Sequence, residues 1–214
     1  LLGPGRIGGS GVLEGICELK PGACGYVDLH GLHSWTYAKM EDRVHTDPLE
    51  TTVQTVRTLV RDAVHRQLQA DVAVGTFLSG GLDSSIITAL ASEQFAREGK
   101  KLHTFSLDYE DNQKYFHATK FQPNADADYV EEMVQAIHSE HHRIVLRPQD
   151  VADALYAAVD ARDLPGMADV DSSLLLFCKE IRRHVKVALS GECADELFGG
   201  YPWYRDPQVR MRYG

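Results

Sequence analysis

Cysteine is scarce in this 214-residue chain, and the four present (Cys17, Cys24, Cys178 and Cys193) form neither a C-x-x-C pair nor a dense framework. That speaks against a disulfide scaffold and points to reduced thiols in a cytoplasmic protein. Long apolar runs are absent too, so no stretch reads as a membrane span. Nor is there a basic-then-apolar leader, and secretion is not expected. An excess of positive charge is missing: 22 basic residues face 31 acidic ones, for a net charge of −9. A main partner of nucleic acid is therefore not expected, because such binders present a basic face. Finally, no G-K-S or G-K-T occurs anywhere. This removes the kinase-type phosphate loop, whose lysine must reach the outer phosphates. What remains is an ordinary composition, 43% hydrophobic and 25% charged. It is enough for one large domain, or for one domain plus a fragment.

The richest segment is Ser79-Gly80-Gly81-Leu82-Asp83-Ser84-Ser85. It follows an apolar run, Val72 to Leu78, and leads into a helical pattern through Ile86, Ile87, Leu90 and Ala91. Strand, glycine turn and helix start together form an anion site from backbone N–H groups and the positive helix end. Gly80 and Gly81 let the main chain come close to a phosphate. Ser79, Ser84 and Ser85 add hydroxyls. Asp83 is the odd member, since a carboxylate beside phosphate oxygens is repelled unless a cation lies between them; Mg²⁺ on a polyphosphate is the economical reading. The segment predicts an ATP site and resembles the pyrophosphate loop of the N-type ATP pyrophosphatases.

Along the chain, residues 1–46 stand apart. Six glycines fall within the first 15 residues, and Pro21-Gly22 and His30-Gly31 interrupt the remainder of the segment, which favours loops and short strands. Gly3 to Gly8 fits G-x-G-x-x-G, but no strand precedes it and Pro4 sits inside it. It is rejected as a dinucleotide site. His30-x-x-His33 and the doublet His141-His142 lack cysteine or carboxylate partners at zinc spacing, and read as surface or packing residues. A boundary comes at Asp47-Pro48-Leu49-Glu50, a capping-box pattern opening a helix to about Gln69.

From there strands (72–78, 102–107, 142–146, 185–189) alternate with helices (84–98, 126–139, 150–159, 171–183). The expected fold class is α/β, a parallel sheet with helices on both faces. Ligands in such sheets sit beyond the carboxyl ends of the strands, where Ser79 falls. Residues 108–125, polar and without periodicity, are expected to form either a long loop that orders only with substrate or with the rest of the protein, or a plain surface insertion.

A second cluster comes after the last strand: Ser190-Gly191-Glu192-Cys193-Ala194-Asp195-Glu196, then Leu197-Phe198-Gly199-Gly200-Tyr201. Carboxylates packed this densely at a strand end repel one another unless a cation or a basic substrate group is near. An acidic helix N-terminus is the plain alternative. Asp83 and Asp195, at two strand ends, suit one shared Mg²⁺.

The two motifs in this order resemble the synthetase domain of glutamine-hydrolysing asparagine synthetases. The likeness runs from about Asp47 to Tyr204, with residues 47–214 as a C-terminally truncated ATP-pyrophosphatase domain. Gly11 to Gly22 resembles the closing strands of the family's glutaminase domain, making 1–46 its remnant and linker. The resemblance implies that Leu78 and Leu107 flank the adenine, with Ser190 and Gly191 also lining the nucleotide pocket. Ser79, Gly80, Gly81, Ser84 and Ser85 would hold the pyrophosphate, and Asp83 and Asp195 the Mg²⁺. Glu192 would be the catalytic acid–base residue that helps deprotonate ammonia, or would instead orient Mg²⁺ or a substrate amine. The implied reaction adenylates aspartate with ATP and displaces AMP with glutamine-derived ammonia.

Three departures stand out. The chain begins with Leu1 where the family has a processed N-terminal cysteine, and Cys17 and Cys24 do not inherit that role. Cys193 occupies a position usually held by glycine. The family's C-terminal helical region, with its catalytic lysine, is absent. These 214 residues are therefore expected to bind Mg-ATP yet make little asparagine. The alternatives are a relative adenylating another carboxylate, such as a β-lactam synthetase, and a non-catalytic nucleotide-binding module. Residues 163–169 are a candidate acceptor loop or a structural one. Oligomeric state is not legible in the sequence, which is compatible with a homodimer.

Overall fold

A computed structural model describes residues 8–116, 126–164 and 166–208. Most of the rejected glycine fingerprint, the second half of the 108–125 segment, and Pro165 of the 163–169 loop lie outside the described residues. The chain divides into two units between Thr52 and Val53.

The first unit is built around a hairpin of β1 (Ala23–Asp28) and β2 (Gly31–Thr36), paired antiparallel from Ala23↔Thr36 to Asp28↔Gly31. Asp28 organises the turn: its carboxylate accepts the His30 N–H at 2.7 Å and contacts the His33 ring nitrogen at 3.1 Å. Across the strands, Tyr26 stacks on its partner His33 with centroids 4.8 Å apart. Such cross-strand pairs are what hold a two-stranded ribbon, which is otherwise marginal in water.

The division falls inside helix α1 (Leu49–Gln67), which starts directly after Pro48, whose carbonyl accepts the Thr52 N–H at 3.0 Å. The second unit then alternates: β3 (Val74–Phe77), α2 (Leu82–Arg97), β4 (His103–Tyr109), α3 (Asn112–Tyr115), α4 (Asp126–Ile137) and β5 (Glu140–Leu146). It continues with α5 (Pro148–Asp153), α6 (Leu155–Arg162), α7 (Ala168–Ile181), β6 (Val187–Leu189), α8 (Ala194–Phe198) and α9 (Pro202–Arg205). The four strands pair in parallel in the order β5-β4-β3-β6.

Because side chains alternate across a strand, each strand feeds two layers. On one face Val74 and Leu189 pack with Val64, Leu68, Leu90, Ala91 and Leu102, seating α1 and α2. On the other, Phe105 packs with Phe177, Ile181 and Val185, seating α7. Helices thus cover both faces, as expected. The α2 face also carries a buried polar seam, in which the Thr88 hydroxyl donates to Thr76 Oγ1 at 2.9 Å.

Several elements differ from expectation, and the described part of the 108–125 segment is not a bare loop, since β4 runs to Tyr109 and α3 follows at Asn112–Tyr115. The helix expected at 150–159 begins earlier, at Pro148, and is broken at Ala154 into α5 and α6. Neither glycine nor proline marks that break, so local propensity could not reveal it. The last strand is shorter than 185–189. Val185 still hydrogen-bonds back to Ile181 and buries its side chain against α7, and the chain joins the sheet only where the N–H groups of Lys186 and Val187 reach Ala73 O.

Candidate active site

The strand order sets the site. From β3 the chain moves outward to β4 and β5, then returns to place β6 on the other side of β3. The loops after β3 and β6 therefore leave neighbouring strands at the point where the winding reverses, which is where open parallel sheets hold ligands. Both sequence motifs sit on these two loops.

After β3, the Leu78 N–H still bonds Phe105 O at 2.8 Å, carrying the β3–β4 pairing one residue further. The chain then turns at Gly80, with φ +86°, where an added Cβ would also press on the Asp126 carbonyl. Ser84 is the hub of the turn. Its Oγ accepts the Ser79 N–H at 3.2 Å, lies 3.0 Å from Ser79 Oγ and donates to Gly81 O at 3.1 Å. Ser85 Oγ donates to the same carbonyl at 2.8 Å, and the Gly81 N–H reaches Ser79 Oγ at 3.3 Å. The hydroxyls thus fix the loop's shape. Helix α2 starts from Gly81 in extended conformation (φ −73°, ψ 163°) with no side chain capping it. An uncapped helix N-terminus after a glycine turn favours an anion.

After β6, the Glu192 N–H bonds back to Ser190 Oγ at 3.2 Å, and Cys193 takes left-handed backbone at φ +70°. Gly191 lies against the start of α2: a Cβ there would meet Asp83 Cβ at 3.0 Å, Ser84 N at 3.1 Å and Asp83 C at 3.2 Å. The two motifs are in van der Waals contact. Their charges meet as well. Burial, and then the nearby charge of Asp195, push the Asp83 carboxyl above its ordinary range. Around them the Tyr201 phenol is pushed up, chiefly by Glu196, then by burial, Asp195 and Glu192. The second loop is a concentrated negative pole.

Beside the first loop opens a cleft of about 760 Å³, lined among others by Leu78, Ser79, Leu107, Asp108, Asn112 and Arg143. Of the residues predicted to touch the nucleotide, Leu78, Ser79 and Leu107 line this cleft. Gly80, Gly81, Asp83, Ser84, Ser85, Ser190, Gly191, Glu192 and Asp195 lie outside its lining, on the two loops and the first turns of α2 and α8 that follow them. Ser79 belongs to both. Sequence reasoning missed the ion pair on the cleft wall between Arg143 and Asp108. Burial pushes the Asp108 carboxyl up, but hydrogen bonds from Arg143, the Tyr109 N–H and Asn112, with the charge of Arg143, hold it below its ordinary value. The one available signal was a carboxylate directly after the end of a predicted strand.

The sequence model described as asparagine synthase matches residues 55–214. This chain belongs to the asparagine synthase family. It is 53% identical over 213 residues to asparagine synthetase [glutamine-hydrolyzing] 3 of Bacillus subtilis, covering 99% of this chain and 35% of that protein. It is 37% identical to asparagine synthetase 1 of the same organism, over 80% of this chain and 25% of that protein. A putative asparagine synthetase of Mycobacterium tuberculosis is 36% identical over 71% of this chain and 21% of its own length. The chain thus spans about a third or less of these curated relatives. A solved NAD+ synthetase from Burkholderia pseudomallei aligns at TM-score 0.36 and 15% identity, over 67% of this chain and 52% of that one. The fold of this asparagine synthase-family chain is defined by its own sheet order. Among the described residues, no helix is long and apolar enough to cross a membrane.

Proposed function

We propose that this chain is the nucleotide-binding core of an enzyme that converts aspartate to asparagine with ATP and glutamine-derived ammonia. The observation that carries the reading is the meeting of the two loops, with Gly191 against the first turn of α2 and Asp83 facing the charge of Asp195. In this reading residues 47–214 are the synthetase domain and 1–46 the end of a glutaminase domain. The coverage of 99% of the chain by a relative named a glutamine-hydrolysing synthetase supports that division.

The roles follow from chemistry. Leu78 and Leu107 would enclose the adenine at the cleft, with Ser190 and Gly191 completing the pocket between the loops. Ser79, Gly80, Gly81, Ser84 and Ser85, with the N-terminus of α2, would hold the leaving pyrophosphate. Asp83 and Asp195 fit a divalent cation, because two carboxylates that feel each other's charge, one of them already destabilised as an anion, gain by sharing a positive charge. Mg²⁺ bound there would supply charge neutralisation of the phosphates. A β-carboxylate oxygen of aspartate attacks the α-phosphorus and the bond to pyrophosphate breaks, leaving β-aspartyl-AMP. Ammonia then attacks the acyl carbon and AMP departs. Glu192, on the loop beside Asp195, takes the proton that the attacking nitrogen must lose. The free thiols of Cys17, Cys24, Cys178 and Cys193 support a reducing compartment such as the cytoplasm.

The deciding experiment is exchange of labelled pyrophosphate into ATP by the full-length protein, with a panel of carboxylates. Exchange stimulated by aspartate alone is expected. Stimulation by another acid would keep adenylation and replace the substrate. Exchange with none of them would reject the reading.

A further inference from the structure

The other end of the sheet carries chemistry that asparagine formation does not use. His103 opens β4 and Glu140 opens β5, and the two are direct cross-strand partners. His142, two residues beyond Glu140, returns to the same face. His141, between them, points to the opposite layer, where its ring nitrogens bond Thr104 Oγ1 at 2.9 Å and Ser106 Oγ at 3.0 Å. The sequence doublet is therefore two different residues in space. One is a packing histidine. The other joins a cluster that the strand register assembles and sequence spacing hides.

We propose that His103, Glu140 and His142 form a second metal site, built for Zn²⁺ and separate from the nucleotide loops. The geometry carries it. Nδ1 of His103 and Nε2 of His142 are 3.0 Å apart, and Glu140 Oε1 lies 3.7 Å from the first and 3.8 Å from the second. A tetrahedral zinc with bonds near 2.0–2.1 Å places its ligand atoms about 3.3 Å from one another. The three observed spacings bracket that edge, so small side-chain adjustments close the site. All three ligand atoms lie within 4.8 Å of one another.

The ligand set also selects the metal. Two imidazoles and one carboxylate suit zinc and its transition-metal neighbours, whereas Mg²⁺ takes oxygen ligands such as Asp83 and Asp195. Two neighbouring rings hold His142 in place. Its ring stacks on Phe105 at 5.0 Å and lies against His184 at 3.9 Å. Three protein ligands leave a fourth position for water. Since β4 and β5 are parallel, zinc here would pin their starting ends together. The nucleotide loops leave from the opposite end of the sheet.

The test is direct titration of the EDTA-stripped full chain with ZnCl₂ at pH 7.5 in excess Mg²⁺, monitored by calorimetry, metal analysis after gel filtration, and thermal unfolding. One zinc per chain is expected, with a melting temperature that rises with zinc concentration. His142→Ala should abolish binding. Glu140→Gln, at a half-exposed side chain whose loss does not threaten folding, should weaken it by more than about tenfold. His33→Ala in the exposed hairpin should leave it unchanged. A wild-type chain that binds no zinc overturns the proposal. So does zinc binding that survives both Glu140→Gln and His142→Ala.

Discussion

Gly191→Ala tests the contact on which the site depends. A methyl group at this position would sit 3.0 Å from Asp83 Cβ, 3.1 Å from Ser84 N and 3.2 Å from Asp83 C. Carbon contacts are comfortable only at about 3.5–4.0 Å. Two of the three atoms are backbone of the first turn of α2, and the third is fixed to it, so none can rotate away. The β6 loop must retreat instead, by a few tenths of an ångström. Overpacking of this kind costs about 1–3 kcal/mol. Gly191 is not among the residues with positive φ, so alanine adds no backbone strain. Its stiffening of the unfolded chain returns about 0.4–1 kcal/mol. The net expectation is a loss of about 1 kcal/mol, which for a unit of this size lowers the melting temperature by about 2–4 °C. Nucleotide binding should suffer more, because a ligand spanning both loops loses alignment on one side, and each tenfold in Kd corresponds to about 1.4 kcal/mol. Calorimetric titration with Mg-ATP and thermal unfolding of the same samples measure both. Thr58→Ala, exposed on α1 and outside both motifs, is the control, removing only the 2.9 Å bond to Gln54 O. A Gly191→Ala protein with unchanged melting temperature and unchanged affinity would refute the packing of the two motifs.

Three further outcomes are expected from the site and the layer beneath it. Asp83→Asn keeps the shape but removes a carboxylate that burial and Asp195 already disfavour as an anion; the ligand-free chain should unfold at the same or a higher urea concentration, while Mg-dependent ATP binding falls by at least about tenfold. Normal Mg-ATP affinity in that variant would refute the metal assignment. Cys193→Gly relieves a side chain at φ +70° and should stabilise by about 1 kcal/mol in urea unfolding; an unchanged or lower midpoint would show that the turn tolerates the cysteine. Acid should weaken the fold through His141, whose proton affinity is lowered below the ordinary 6.5 by burial, then by His142 and Arg143. The unfolded chain then binds more protons, so stability is full above pH 6.5 and falls as pH drops through the lowered folded value. Urea midpoints measured from pH 7.5 to 5.5 should decline, less steeply in His141→Gln, and equal slopes would exclude the residue.

Legibility in the sequence tracked whether a signal was local. The glycine-serine loop announced itself because turn, hydroxyls and helix start fall within consecutive residues. The four strands showed as apolar runs between polar helices, and parallel pairing could be inferred from that alternation. What stayed hidden was long-range. The split at Ala154 has no breaker residue, and the late entry of β6 depends on Val185 being claimed by the α7 layer. The Asp108–Arg143 pair and the His103–Glu140–His142 cluster each join residues from different strands. Only register brings them together, and register is not written at any single position.

The placement of charge explains why a chain of net charge −9 can read as a nucleotide enzyme. The N-terminus of α2 and the turn before it attract phosphate at short range, through oriented N–H groups. Asp83, Glu192, Asp195 and Glu196 oppose it from the same strand ends. A polyphosphate arriving bare would meet both, and each uncompensated carboxylate within a few ångströms acts against it. A polyphosphate already carrying a divalent cation meets an attractive helix end and an attractive acidic pole at once. In the proposed reading the two loops together would therefore select a metal–nucleotide complex over either component alone, and the steric intimacy of Gly191 with the first turn of α2 would keep those two halves of the selector in register.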